Sequence, residues 1–290
     1  MRWGVLYGWA VVALLSHLLL DYTNNYGLRP FFPFDGRWYA ASIVFIVDPL
    51  ILVLLIGALV MPALFGLVGA EVGAQRPRFR GRGWAVAALV GIVGWWALRA
   101  VEHGRAVQVA QGWSVAAPVS AGVVEKQIPF GNDSQNDKSI DTGQSDSDVA
   151  PDEPPPVYLT PQRVWMTPHP FSPFQWSGAL DLGPSYQLAE VDVRRGTIAA
   201  AAFLLPKPAQ DSMLRVAEAS QLGRAYLDWS PMPLVTAQAG ERGSTVVTFR
   251  DPRFMGAPLA DRGRTALVGT VTLDAHGRVV EQTMDGRAQR

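Results

Sequence analysis

The sequence predicts a membrane-anchored protein: an α-helical transmembrane part of about three helices, followed by a small soluble α+β domain. Three observations predict it. Nearly all the long apolar runs lie before position 101, a polar stretch rich in Asp, Ser and Pro follows, and from residue 157 onward hydrophobic residues alternate as they do in strands. The overall hydrophobic share of 49% across 290 residues therefore averages two unlike halves. The expected organisation is a transmembrane domain over residues 1–105, a juxtamembrane segment and linker over 106–156, and a soluble domain over 157–290.

A helix crossing a hydrocarbon core of about 30 Å needs about 20 apolar residues. Residues 3–20 (WGVLYGWAVVALLSHLLL), 49–68 (PLILVLLIGALVMPALFGLV) and 84–100 (WAVAALVGIVGWWALRA) each meet that need. The alternative for the first run is a cleaved signal peptide. His17 inside the run and the lack of a small-residue cleavage pattern argue against it.

Between the second and third runs, EVGAQRPRFRGRG carries Arg76, Arg78, Arg80 and Arg82 against Glu71. Basic loops stay on the cytoplasmic side, so this loop is expected inside. Residues 21–47 and everything after Ala100 are then outside. The expectation is a multi-pass protein of the bacterial inner membrane with a periplasmic C-terminal domain. The formal net charge is zero, so no global basic field points to nucleic acid. The chain has no cysteine, which excludes disulfides, thiolate metal sites and cysteine nucleophiles.

The stretch SHLLLDYTNNYGLRPFFPFDGRWYAASIVFIVDP concentrates the candidate chemistry. His17 and Asp21 are four apart on one helix, hence on one face and one turn apart. Ionisable groups in or near a bilayer persist when paired, solvated or bound to a metal. Imidazole with carboxylate suits Zn²⁺ or another divalent ion, and a hydrogen-bonded pair between helices is the plainer alternative. Two ligands do not complete a metal site, and Asp48 is the nearest third. Asp48 also precedes Pro49 at the start of a helix, so it reads equally as an N-cap.

The intervening loop has turn formers at Asn24, Asn25 and Gly27 and helix breakers at Pro30 and Pro33. Phe31, Phe32, Phe34, Trp38 and Tyr39 suit a membrane–water interface. Arg29 and Arg37 suit phosphate or lipid headgroups, with interfacial anchoring as the alternative.

These residues resemble a known family. SHLLLDYTNNYGLRPFFPFDGRWY followed by FIVDPLIL is similar to the LexA-regulated, membrane-bound metal-dependent hydrolases of bacteria. The later PFSPFQW and FRDPRF segments resemble a soluble extension of some members. The resemblance implies hydrolysis of an ester or phosphoester at the membrane surface, with a lipid or phosphoester as substrate and a divalent metal, zinc by preference, as cofactor. It places His17 and Asp21 among the metal ligands and Asp48 at an acidic position of the site. Arg37 or Arg29 would then hold substrate phosphate. The family's earlier membrane segment, with its His-Arg-Gly-x-Thr-His-Ser motif, has no counterpart in this sequence, so the expectation is a chain lacking that half. The alternative is a non-catalytic, membrane-anchored protein presenting a periplasmic interaction domain.

Beyond the third run, residues 99–111 are expected to continue briefly as a helix, with Glu102, His103 and Arg105 leaving the membrane. Residues 131–156 (GNDSQNDKSIDTGQSDSDVAPDEPPP) are too polar to bury a core and read as an acidic, disordered linker. They lack the loop glycine and terminal Glu of a calcium-binding EF-hand.

In the soluble part, WSGALDL, SYQLAEVDV, GTIAAAAFLL, STVVTFRD, RTALVGTVTL and GRVVEQTM read as mainly antiparallel strands, with one helix over residues 212–227. His276 is expected in the Asp-Ala-His-Gly turn and His169 in a proline-packed loop. Asp181, Arg250 and Asp251 read as solvated or paired charges. No nucleophile elbow, phosphate loop or His-Glu-x-x-His occurs in this part.

Overall fold

The structure is a computed structural model that describes residues 2–71, 81–116, 158–201, 203–255 and 267–288. Most of the arginine-rich loop and the whole acidic linker fall outside these residues. Met1–Trp113 and Pro161–Arg290 form one compact unit, and Ser114–Thr160 a second. In the second unit, β1 (Val115–Ala116) pairs antiparallel with β2 (Tyr158–Leu159).

The three apolar runs form α1 (Trp3–Thr23), α2 (Pro49–Glu71) and α3 (Gly81–Gln111), each long and apolar enough to cross a membrane. Thr23 is the only buried residue of α1, so its apolar side chains are left for lipid. α2 and α3 pack together: Ile51 and Ile92 are buried with Val44, and Leu54, Trp95 and Trp96 close around them. Gly91 allows the approach, because a Cβ there would stand 3.2 Å from Leu54 Cδ1.

α3 runs well past its apolar part, about three turns beyond Arg99. The extension is not a solvated stalk. Ala106 and Ala110 are fully buried among Met166, Trp176, Leu180, Ala189 and Val191. Two alanines one turn apart on a helix face let its backbone lie close to a sheet.

That sheet comprises β3 (Arg163–Pro168), β4 (Gln175–Asp181), β5 (Ser185–Asp192) and β6 (Thr197–Ala200) in sequence order, all antiparallel. β7 (Leu205–Pro206) pairs with the start of β5 while β6 pairs with its end. The single strand expected from GTIAAAAFLL is thus divided into two short ones on the same partner.

A second antiparallel sheet orders β8 (Leu234–Ala239), β9 (Thr245–Arg250), β10 (Gly269–Leu273), β11 (Val279–Met284) and β12 (Arg287–Ala288) as a meander. Alternation in β10 buries Gly269, Val271 and Leu273. Against them pack Leu214 and Ala217 of α4 (Ser212–Ala219), and Leu222 and Tyr226 of α5 (Gln221–Trp229).

The one helix expected over 212–227 is therefore two. Ser220 is extended (φ −65°, ψ 167°); it ends α4 and caps α5, its hydroxyl accepting from the Gly223 N–H at 3.0 Å. Gly223 is required at this corner, since a Cβ would sit 2.1 Å from the Ala217 carbonyl oxygen.

Candidate functional site

The end of α1 is built so that His17 and Asp21 overlook a loop that folds back on the helix. Residues 41–44 return along the helix terminus: the Ala41 N–H donates to Tyr22 O at 2.7 Å, and those of Ile43 and Val44 to Thr23 O at 3.0 Å. This satisfies carbonyls that a helix end leaves open. Gly27 adopts φ +78° where the chain turns beside Tyr39, and a Cβ would meet the Tyr39 carbonyl oxygen at 3.0 Å.

The resulting cleft of about 530 Å³ is lined by His17, Asp21, Asn24, Asp48 and apolar groups including Ile51 and Leu55. Three of the candidate residues thus share one cleft. His17 Nε2 stands 3.4 Å from Asp21 Oδ2, and both side chains reach the surface.

Asp48 borders the cleft, but its carboxylate is engaged by neighbouring donors. Its Oδ1 accepts from the backbone N–H groups of Leu50 (3.0 Å) and Ile51 (3.2 Å), the N-cap read from the sequence. Its Oδ2 accepts from Trp95 Nε1 at 3.1 Å and pairs with Arg99 Nη2 at 3.3 Å. Arg99 in turn donates through Nη1 and Nη2 to the His169 carbonyl, both at 3.0 Å, with its guanidinium 4.7 Å from the centre of the Trp95 ring.

His17 Nε2 and Asp21 Oδ2 are two donor atoms 3.4 Å apart, which a divalent ion would have to supplement with at least one further ligand. The Asp48 oxygens already have four donors. Among the described residues no group of three His, Cys, Asp or Glu is close enough to hold an ion together, whereas catalytic zinc sites ordinarily use three protein ligands.

Arg37 lies outside this cleft. It is exposed and closed onto Asp35, with Nε at 3.0 Å and Nη2 at 2.8 Å from Oδ2. Hydrogen bonds from the Arg37 side chain and N–H, then from the Tyr39 hydroxyl, hold the Asp35 carboxyl well below the usual carboxylate range. Arg37 borders a second cleft, about 460 Å³, with Tyr26, Trp38, Trp165, Trp229 and Arg253. Arg29 forms an ion pair with Asp228 and lies over the Trp38 ring.

Sequence reasoning missed the residues that fasten this region to the β-sheets. Asn25 is buried; its Oδ1 accepts from Trp165 Nε1 (2.7 Å) and the Ser42 hydroxyl (2.9 Å), and its Nδ2 donates to Thr167 Oγ1 at 3.0 Å. The Arg253 Nη1 donates to the Asn25 carbonyl at 2.9 Å, while Nε and Nη2 hold Asp251 Oδ2 at 2.9 and 2.7 Å. Trp165 and Trp229 flank that guanidinium at 4.8 and 5.0 Å. Of the charges in FRDPRF, Asp251 and Arg253 are accordingly a buried pair; the sequence signal was two prospective ion partners within a short aromatic motif.

The other histidines stand apart from the cleft. His103 packs on Trp176 at 5.2 Å between ring centres, and the N–H of His276 donates to Asp274 in the expected turn. In the loop after β3, His169 Nδ1 accepts from the Phe171 N–H at 3.3 Å, and burial, then the charge of Arg99, push its imidazole below its usual pKa.

The sequence model of the YdjM inner membrane protein family matches residues 1–106. This part of the chain, which carries His17, Asp21 and Asp48, is similar to that family. No curated protein and no solved structure matches the chain.

Proposed function

We propose that this protein works at the surface of the inner membrane as a hydrolase-type site for a lipid-borne ester or phosphoester, with its β-sheets outside in the periplasm. The supporting observation is that one cleft collects His17, Asp21 and Asp48 beside Ile51, Leu52 and Leu55 of a membrane-spanning helix. An acyl chain in the bilayer can lie against such a wall while its ester region reaches the polar end.

His17 and Asp21 would hold the divalent ion, which when bound supplies an activated water near neutral pH and polarises the ester. The imidazole and carboxylate also suit proton transfer by themselves. Asp48 acts by position: it caps α2 and holds Arg99. Arg37 contributes to the neighbouring cleft, where a headgroup phosphate would meet its exposed guanidinium. The arginine-rich loop between α2 and α3 supports the periplasmic side.

A second reading is a non-catalytic anchor that presents the β-sheets to a partner. It is favoured by the full engagement of Asp48 and by the lack of a third metal ligand among the described residues. The separating experiment incubates protein in nanodiscs with phospholipids and chromogenic phosphoesters. Product release lost in His17→Ala and Asp21→Ala supports the hydrolase. No release from any substrate class supports the anchor.

A further inference from the structure

We propose that two loops outside the spans are seated in the bilayer interface, so that the soluble sheets rest on lipid rather than standing clear of it. The first loop joins β3 to β4. Arg99 lies where α3 passes from its apolar run to its polar extension, and it donates to the carbonyls of His169 (3.0 Å) and Pro170 (3.4 Å). Those carbonyls are thereby fixed at the level where the helix leaves the hydrocarbon. The next residue, Phe171, is 78% exposed.

Asp48 marks the same level from the start of α2. It caps the first turn of α2 and pairs with the same Arg99. Directly before it, Ile46 and Val47 are also exposed. Phe171, directly after a residue tied to Arg99, and Ile46 and Val47, directly before Asp48, are thus exposed near the level of helix entry.

The second loop lies between α1 and α2, both of which are spans. Its tip presents Phe31, Phe32 and Phe34, the last 97% exposed. The tip is held in shape from within: the N–H groups of Phe34 and Asp35 donate to Phe31 O at 2.8 and 3.0 Å, and Tyr39 donates to Asp35 at 2.8 Å. Arg29 and Trp38 tie the base of the loop to Asp228. A preshaped tip loses little freedom on entering an interface, and exposed aromatics at headgroup depth are the usual belt of a membrane protein. The occupant is the lipid of the bilayer that the three helices cross: Arg99 ties the first loop to a spanning helix and the second loop links two spans, which selects lipid over a soluble partner.

The chain has no cysteine, so single variants Phe171→Cys and Phe34→Cys take a nitroxide label without background. Val280→Cys on β11, exposed in the second sheet, is the aqueous reference. In nanodiscs of zwitterionic lipid, both loop labels should collide more with oxygen and less with a water-soluble nickel complex than the reference does. Labels as accessible to nickel as at Val280 would overturn the proposal. Labels shielded from both reagents would indicate protein cover and would overturn it as well. Because the readout is depth, it is independent of hydrolysis.

Discussion

Asp48 and Arg99 meet at 3.3 Å with both side chains removed from solvent, joining the first turn of one spanning helix to the place where another enters the β-sheets. Neither end of this pair has a simple substitute. Asp48 gives one oxygen to the cap and the other to Arg99 and Trp95, while Arg99 shares its donors between that carboxylate and the His169 carbonyl.

Asp48→Asn should preserve the cap, since Asn caps helices about as well as Asp, yet leave a buried guanidinium without a counter-charge. Breaking one side of a buried pair costs about 3–5 kcal/mol. The loss should appear as a lower thermal midpoint in detergent. Asp48→Asn combined with Arg99→Met should lose less than the sum of the two single changes.

Asn25→Ala should loosen the attachment of the membrane loop to β3. The change strands the Trp165 indole N–H and the Thr167 hydroxyl in a buried place, at about 1–3 kcal/mol for each unsatisfied group. Limited proteolysis should cut residues 24–44 faster in the variant. Unchanged cleavage would show that Arg253 and Trp229 hold the loop by themselves.

The corner between α4 and α5 separates two backbone effects. Ser220→Ala removes a cap and should cost about 1 kcal/mol. Gly223→Ala should cost more, because its Cβ would collide with the backbone of α4. Chemical denaturation of the two variants gives the order directly.

Asp181 supplies a pH test. Burial raises its carboxyl pKa, but hydrogen bonds from Lys207, the Gly183 N–H and Arg163 outweigh that and hold it below its usual value. The folded state therefore binds the proton more weakly than the unfolded one. Its stabilisation is complete above the unfolded carboxylate value of about 3.9 and is lost as pH falls through the lower, folded value. The stability gap between wild type and Asp181→Asn should be constant from neutral pH to about pH 5 and narrow in stronger acid. A gap that widened with acid would reverse the sign of the argument.

The spans were legible because the length and apolarity of a crossing helix are local properties. The polar continuation of α3 was harder to read. Glu102, His103 and Arg105 look like residues of a surface helix, and nothing local says that Ala106 and Ala110 meet a sheet more than fifty residues later. Asn25 reads as a turn former, and it does sit in a turn. Its four hydrogen-bond partners, Ser42, Trp165, Thr167 and Arg253, come mostly from distant strands and loops. The spacing of His17 and Asp21 was readable on the helix; the engagement of Asp48 by Arg99 required the third dimension.

Elemental mass spectrometry of the purified protein, beside His17→Ala and Asp21→Ala, measures whether His17 and Asp21 act as one metal-holding site. A divalent metal, zinc or manganese, is expected near one equivalent in the wild type and lost in both variants while their thermal midpoints stay close to wild type. A metal-free wild type, or metal retained in both variants, would contradict it.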